Sequence, residues 1–243
     1  MKQPELRICG LTAVRARFER DPESVERLFF DRETSKKLGS ECRFLAGAKK
    51  IYRCVEPAEL EKIGGTLHHG GVVAVARARP LLAAGQKEAR LWASRRDPLL
   101  FLDRIGNAHN LGAIARTAGF FGVPRIIIAD DPKSAKPGDA AFRVAEGALE
   151  IVDVWTVPSA PAFLGQLSAA GYDVVGAAVR GGQPRGPGAP RLTALVLGNE
   201  EHGLSREVER ACSRLTTIPG SGRVESLNVA AAASILIWEL LRR

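Results

Sequence analysis

Apolar and polar residues follow two different patterns along the first third of the chain. Short runs of branched and aromatic residues, bounded by turn residues, predict β-strands, and apolar residues that recur every three or four positions predict helices. The predicted strands cover residues 6–9, 25–30, 51–55 and 72–76, and the predicted helices cover 11–20, 35–46 and 57–63. Strands that alternate with helices predict a small α/β sandwich over residues 1–76.

Residues 98–243 repeat this alternation, but their strand-like runs are continuously apolar. These runs cover residues 99–102, 125–129, 151–154, 173–178, 192–197 and 214–218, and a loop rich in glycine and proline covers 180–188. Continuously apolar strands separated by helices predict a parallel sheet that is buried on both faces. Ligands of such sheets bind beyond the carboxyl ends of the strands, where turns begin at Asp103, Gly198 and Pro219.

The end of the chain combines a polar turn with an alanine-rich helix. The turn contains Gly220 and Gly222, the predicted helix begins with Ser226 as its N-cap, and Asn228 falls in the first turn. The helix is apolar on nearly every side, which predicts burial in a core or in a subunit interface. Free backbone N–H groups at a helix start favour a binding site, and a plain loop before a core helix is the alternative.

Charge is distributed unevenly along the 243 residues, whose formal net charge is +8. Residues 1–97 carry 20 Lys and Arg against 13 Asp and Glu, whereas residues 98–243 carry 15 against 14. A basic excess in one part of the chain predicts a polyanionic partner such as RNA, and a solvated basic surface is the alternative. The helices of the first part are expected to expose Arg15, Arg17, Lys36, Lys37, Lys49 and Lys50.

Between the two parts, residues 77–97 carry six basic residues against two acidic ones. Pro80 and Gly85 interrupt the segment, so it is predicted to be a basic linker. The predicted domains are therefore 1–76 and 98–243, on either side of this linker.

Cysteine and histidine usage indicates a reduced protein without a metal. The four cysteines have neither metal-ligand nor redox spacing, which predicts scattered buried thiols. His68 and His69 have only Cys54 as a further candidate ligand, so a structural role or a place near RNA is favoured over metal binding. A signal sequence and a membrane-spanning apolar run are absent from the sequence, which predicts a cytoplasmic protein.

Three segments of the second part carry a recognisable combination of motifs. They are residues 107–117 (NAHNLGAIART), 195–204 (LVLGNEEHGL) and 218–229 (IPGSGRVESLNV). In this order and spacing they resemble the three motifs of the SpoU (TrmH) branch of the SPOUT RNA methyltransferases. Residues 5–76, including 68–73 (HHGGVV), resemble the substrate-binding domain that many members carry in front, which is shaped like a large-subunit ribosomal protein.

The resemblance implies the function and the architecture. It implies transfer of a methyl group from S-adenosylmethionine to a ribose 2′-hydroxyl in tRNA or rRNA. It also implies that the second domain contains a deep trefoil knot and that the protein is a homodimer whose active sites use both subunits. None of these features follows from the periodicity of the sequence.

The same resemblance assigns residues to the site. Residues expected around the reacting ribose are Asn110, Arg116, Glu200, Ser226 and Asn228. Residues expected at the cofactor are Leu197, Gly198, Asn199, Gly203, Ile218, Pro219 and Leu227. The sequence departs from the family pattern at Ala108, where proline is usual, at Glu201, which often corresponds to glycine, and at Gly220, which replaces a hydrophobic residue.

Several roles stay open at this stage. Arg116 is the family's proposed base, but arginine is almost always protonated, so a clamp on the ribose or phosphate is an equal alternative. Glu200 is expected to accept a hydrogen bond or to orient Asn110, and it could instead be an acid favoured at a helix start. Asn110 could also cap its helix.

Two other functions remain as alternatives to methyl transfer. A catalytically silent RNA-binding or assembly factor would keep the knotted dimer, and the intact set of polar residues argues against it. A nucleotide-binding enzyme acting on a small molecule is disfavoured, because a Gly-x-Gly-x-x-Gly turn follows the first strand of neither part and because residues 1–97 carry a charge of +7.

Overall fold

A computed structural model of the protein describes residues 4–183 and 192–241. Its first sheet has four strands, β1 (Glu5–Cys9), β2 (Val25–Phe30), β3 (Ile51–Cys54) and β4 (Val72–Arg77). Their order is β1-β4-β2-β3, with β4 antiparallel to both neighbours and β2 parallel to β3. All four strands were predicted within a residue of their ends.

Helices cover both faces of this sheet, as expected for a sandwich. The helices are α1 (Leu11–Arg20), α2 (Gly39–Gly47) and α3 (Pro57–Gly64). Leu45 of α2 packs on one face with α1, and Leu60 of α3 packs on the other face. The helix predicted over 35–46 is divided into a 3-10 turn (Thr34–Lys37) and α2, because the backbone leaves the helical conformation at Leu38.

The second sheet has seven parallel strands, which confirms the predicted parallel sheet. They are β5 (Leu82–Ala83), β6 (Leu99–Leu102), β7 (Arg125–Ala129), β8 (Asp153–Val157), β9 (Asp173–Ala177), β10 (Thr193–Leu197) and β11 (Arg214–Thr216). Their order is β11-β9-β10-β6-β7-β8-β5. Residues 184–188 of the predicted glycine- and proline-rich loop lie outside the described residues.

Seven helices of the described chain flank this sheet. They are α4 (Gln86–Ser94), α5 (Ala108–Phe120), α6 (Asp139–Ala145), α7 (Ala148–Ile151), α8 (Ala160–Ala169), α9 (Arg206–Ala211) and α10 (Val229–Leu240). The core on one face includes residues of α5, α6, α7 and α10, and the core on the other face includes residues of α4, α8 and α9. Ile151, predicted to start a strand, ends α7 instead, and β8 begins at Asp153.

Part of the predicted linker belongs to the second sheet and its core. Strand β5 pairs with β8 at the sheet edge. In α4, Trp92 is buried, and its ring meets the Trp155 ring edge-on at 5.3 Å. Ala84, Ala89 and Trp92 are buried in this core, which the count of basic residues did not indicate. The division of the chain into domains stays a prediction.

Arg17 differs most from its predicted place, because it is fully buried rather than exposed. Its Nε donates a 2.8 Å hydrogen bond to Oε1 of Glu150, a buried residue of α7. The pair joins α1 to α7, across the contact between the two sheets. The prediction that Arg17 lies on the exposed face of α1 was wrong, because the buried carboxylate of Glu150 compensates its charge in the interior.

The four cysteines differ in exposure. Cys9 is buried, Cys42 and Cys212 are half-buried, and Cys54 is exposed, so the prediction of four buried thiols was wrong for Cys54. Burial raises the pKa of the Cys9 and Cys42 thiols and raises that of Cys212 to about 12. None of the helices in residues 4–183 and 192–241 is long and apolar enough to cross a membrane.

Candidate active site

Three polar side chains from distant parts of the sequence meet beyond the carboxyl ends of the central strands. Asn110 Nδ2 donates a 2.6 Å hydrogen bond to Oε1 of Glu200. Asn228 Nδ2 donates to Asn110 Oδ1 at 3.3 Å. We call these three residues the amide–carboxylate cluster. They were predicted to lie together, and they do.

The helix starts that hold the cluster differ from the predicted caps. Asn107 caps α5 by accepting a 2.8 Å hydrogen bond from the backbone N–H of His109, so Asn110 falls in the first turn. Ala108 is the first residue of α5, where proline fits well, because the backbone N–H there needs no helical partner. Asn228, not Ser226, caps α10, with Oδ1 accepting from Ala230 N at 2.8 Å.

Glu200 is held by a tight loop between β10 and α9. Asn199 and Gly203 exchange backbone hydrogen bonds of 3.0 and 2.9 Å, and Gly203 has a φ of +65°. A Cβ atom on Gly198 would lie 2.3 Å from the carbonyl carbon of Gly203, so only glycine fits there. Helix α9 begins at Arg206 with Ser205 as its N-cap, so Glu200 does not serve as a helix-start acid.

Asn199 and Asp103 connect this loop to the turn after β6. Asn199 Nδ2 donates to the carbonyl of Arg104 at 2.9 Å. Asp103 is buried, its N–H donates to Leu197 O at 2.8 Å, and its Oδ2 accepts from Ser205 N at 2.7 Å. Asp103 was not among the predicted site residues, although its place directly after a buried strand could have identified it.

Arg116 lies outside the cluster. It is six residues beyond Asn110 on α5, and its Nη1 is 2.9 Å from Oε1 of Glu146, which follows α6. Both side chains are more than half exposed. Within the described residues, Arg116 makes no hydrogen bond to Asn110, Glu200 or Asn228. Its predicted part in the reaction therefore requires that its side chain extend toward a bound RNA.

The turn between β11 and α10 exposes most of the remaining predicted residues. Ile218 is half-buried and packs against the core, whereas Pro219 and Ser226 are exposed. Leu227 is 51% exposed, although it was predicted to lie in an apolar helix. Ser226 makes no hydrogen bond to the amide–carboxylate cluster within the described residues.

Helix α10 is buried in the core on one side only, and the predicted alternative of burial in a subunit interface stays a prediction for its other side. Ile235 is 41% exposed and Trp238 is 51% exposed, while Ala233 and Ile237 are fully buried. On neighbouring α5, Phe120 is 82% exposed. The apolar residues on one side of α10 therefore pack in the core, and those on the other side form part of an exposed apolar surface.

Histidines of the first domain take a structural place. His69 Nδ1 accepts a 3.1 Å hydrogen bond from Gly71 N, in a turn where Gly71 has a φ of +77°. In the part of the chain that the structure describes, no three His, Cys, Asp or Glu side chains gather as metal ligands would.

The parallel sheet places this chain among the α/β proteins. The amide–carboxylate cluster lies at the edge of the sheet where proteins of this class bind their ligands. Family comparison narrows this class. The model of the SpoU rRNA methylase family matches residues 97–238, and a model described as RNA 2′-O ribose methyltransferase substrate binding matches residues 7–82. This chain belongs to the SpoU rRNA methylase family, as the three motifs predicted.

Two relatives match almost the whole chain. A 23S rRNA (guanosine-2′-O-)-methyltransferase of Bordetella pertussis is 33% identical over 240 residues, which cover 97% of this chain and 96% of that protein. A protein of Escherichia coli O157:H7, named an uncharacterized tRNA/rRNA methyltransferase, is 32% identical and covers 98% of this chain and 68% of its own length.

Solved structures share the fold. The AdoMet-bound rRNA methyltransferase from Sinorhizobium meliloti superposes with a TM-score of 0.76 at 22% identity, covering 97% of this chain and 86% of its own. The SpoU methyltransferase AviRb from Streptomyces viridochromogenes, in complex with AdoMet, has a TM-score of 0.73 at 24% identity, covering 97% and 89%.

Proposed function

We propose that this protein transfers a methyl group from S-adenosylmethionine to a ribose 2′-hydroxyl in RNA. The observation that carries the proposal is the amide–carboxylate cluster of Asn110, Glu200 and Asn228, in a chain of the SpoU family. These side chains offer hydrogen-bond donors and acceptors at the edge of a parallel sheet where substrates bind.

The cofactor would be held by the loops after β10 and β11. Ile218 and Leu227 provide apolar surface. The backbone at Leu197, Gly198, Asn199, Gly203 and Pro219 provides hydrogen-bonding groups, as an adenosine-sized ligand needs. The close packing at Gly198 supports this fit, because a side chain there would displace the loop. When bound, S-adenosylmethionine supplies an electrophilic methyl group on a sulfonium.

The polar residues then hold the sugar for attack on the methyl group. Glu200 fixes Asn110, so that the carboxamides of Asn110 and Asn228 form a rigid polar surface for the ribose. Ser226, on the same turn, would add a hydroxyl to this surface. Holding the 2′-oxygen in line behind the methyl carbon lowers the activation barrier. The orientational freedom of the reacting atoms is already lost on binding, before the chemical step.

Arg116 is assigned as a clamp on the ribose or its phosphate. Arginine stays protonated in proteins, so its guanidinium favours an anion rather than acceptance of a proton. A planar guanidinium also binds a phosphate with two parallel hydrogen bonds.

RNA would be recruited by the first domain. Its four-stranded sheet with helices on both faces agrees with the expected likeness to a large-subunit ribosomal protein. Arg15, Lys36, Lys37 and Lys49 are exposed on this domain. Together with the +7 charge of residues 1–97, these cations support binding to the phosphates of tRNA or rRNA.

A homodimer would cover the exposed apolar surface of α5 and α10. Phe120, Ile235 and Trp238 form this surface, and the same two helices hold Asn110 and Asn228 at their starts. A second copy docked there would cover these side chains, which lie about 10–15 Å along the two helices from Asn110 and Asn228 at 1.5 Å per residue. A trefoil knot in the second domain completes the proposed architecture, and the hydrogen bonds that Gly182 and Gln183 donate to the β11 segment support a close passage of the chain.

Methyl transfer is tested with purified protein, S-adenosylmethionine carrying a labelled methyl group, and tRNA and rRNA. We expect label at a ribose 2′-oxygen of one RNA, at a site whose 2′-O-methylation disappears in cells that lack the protein. RNA binding without transfer to any of these RNAs would contradict the proposal and favour a silent assembly factor.

A further inference from the structure

A short segment that leads from the end of α6 into α7 touches both the proposed active site and the first domain. It runs from Glu146 to Glu150. At one end, Glu146 Oε1 lies 2.9 Å from Nη1 of Arg116. At the other end, the Glu150 carboxylate accepts a hydrogen bond from Arg17 of the first domain.

Glu146 holds an unusual backbone conformation. It ends α6 with φ and ψ both at 46°, in the left-handed region. A residue with a Cβ atom is disfavoured there, and such conformations persist only where the surrounding structure imposes them. Left-handed backbone turns the chain sharply after α6, and the glutamate side chain meets Arg116 on α5.

The first domain supplies part of the surrounding structure. Gly147 also has a positive φ, +94°, and a Cβ atom there would lie 3.3 Å from Ala13 Cα in α1. Three residues later, Glu150 is buried against Arg17, while Arg79 Nη2 donates to the carbonyl of Leu149 at 2.9 Å. The turn is therefore fixed between the two domains.

We propose that Glu146 is a positioning residue that holds the Arg116 guanidinium in place for the reaction, with its turn anchored on the first domain. The inference deepens the proposed function and rests on the role of Arg116 in it. One contact through Nη1 leaves the other guanidinium N–H groups to face RNA, because a guanidinium has five donors. Both side chains are more than half exposed, so RNA can reach the pair.

Replacement of Glu146 tests the proposal, with two variants that differ in their effect on folding. Glu146→Gln removes the charge and keeps the shape. Glu146→Gly removes the side chain from a backbone conformation that glycine adopts without strain, so its melting temperature should equal or exceed that of the wild type. We expect each variant to lower kcat at saturating RNA by about tenfold, with the Kd of S-adenosylmethionine unchanged.

Asp130→Asn is the matched control. Asp130 is 63% exposed and pairs with Lys136 at 3.2 Å, so the change removes an equally exposed charge from the same domain. Its kcat should equal that of the wild type. A wild-type kcat in Glu146→Gln, or an equal loss in Asp130→Asn, would overturn the positioning role.

A readout that needs no activity separates this inference from the proposed function. Side-chain NMR of the Arg116 guanidinium should report greater mobility in Glu146→Gln than in the wild type, and unchanged mobility would overturn the inference. Lack of methyl transfer by the wild-type enzyme would instead overturn the proposed function and the catalytic consequence drawn from it.

Discussion

Asn110 and Glu200 lie ninety residues apart in the sequence, yet Asn110 Nδ2 donates a 2.6 Å hydrogen bond to the Glu200 carboxylate. A carboxylate only accepts hydrogen bonds, so Glu200 fixes which end of the Asn110 amide faces it. Asn110 Oδ1 therefore faces Asn228, whose Nδ2 donates to it at 3.3 Å. The carboxylate thus determines the orientation of both amides.

Replacement of Asn110 by aspartate should disrupt the orientation of these side chains. Asn110→Asp would set two carboxylates side by side and remove the donor, so we expect at least a hundredfold loss of methyl transfer through misplaced polar groups, as an order of magnitude. Labelled methyl transfer to RNA measures it. Asn107→Asp is the matched control, because aspartate caps a helix as well as asparagine and its activity should stay within about twofold. Equal losses in both variants would contradict a special role for Asn110.

Removal of the Arg116 guanidinium should separate catalysis from cofactor binding. We expect Arg116→Ala to abolish detectable methyl transfer while the Kd of S-adenosylmethionine, measured by calorimetry, stays within about tenfold, because the clamp acts on RNA. An active Arg116→Ala enzyme would rule out its assigned role.

A side chain at Gly198 should displace the loop that carries Glu200. Gly198→Ala places a Cβ atom 2.3 Å from the Gly203 carbonyl carbon, and such overpacking costs about 1–3 kcal/mol of unfolding free energy. We expect loss of cofactor binding together with this destabilisation, measured by calorimetry and urea unfolding. Gly165→Ala in α8 meets no atom within 4 Å and should keep both properties. Normal cofactor binding by Gly198→Ala would show that the loop does not form the cofactor site.

Loss of the buried Arg17 charge should destabilise the contact between the domains. Arg17→Ala leaves the Glu150 carboxylate buried with Arg79 as its remaining cation, at 3.6 Å, so we expect a loss of about 3–5 kcal/mol of unfolding free energy. Arg15, which lies on the same helix as Arg17, forms an exposed ion pair with Glu41 of α2. Arg15→Ala should therefore lower the unfolding free energy by at most about 1 kcal/mol. Urea unfolding measures both, and equal effects would contradict the importance of the buried pair.

RNA affinity should fall steeply with salt. Contacts to phosphates release counterions, so four such contacts, one for each of the exposed cations Arg15, Lys36, Lys37 and Lys49, give a slope of log K against log salt of about −2.8 to −3.6. Filter binding over a range of potassium chloride concentrations measures the slope. A flat response would remove the basic first domain from the account of RNA binding.

The sequence determined the elements and the family. Short apolar runs identified ten of the eleven strands found within residues 4–183 and 192–241, because burial of a strand needs a local pattern of apolar residues. The two-residue β5 was missed, since it has too little pattern to detect and lies in a segment dominated by charge. The three motifs identified Asn110, Glu200 and Asn228, which the fold brings together, and also Arg116 and Ser226, which make no hydrogen bond to these three in the described residues.

Tertiary structure decided what depends on contacts between distant residues. It buried Arg17 beside Glu150, moved the α10 cap from Ser226 to Asn228, and paired Arg116 with Glu146. The sequence could not indicate these outcomes, because the cost of burying a charge or leaving a backbone group without a partner depends on which residues the fold brings within hydrogen-bonding distance.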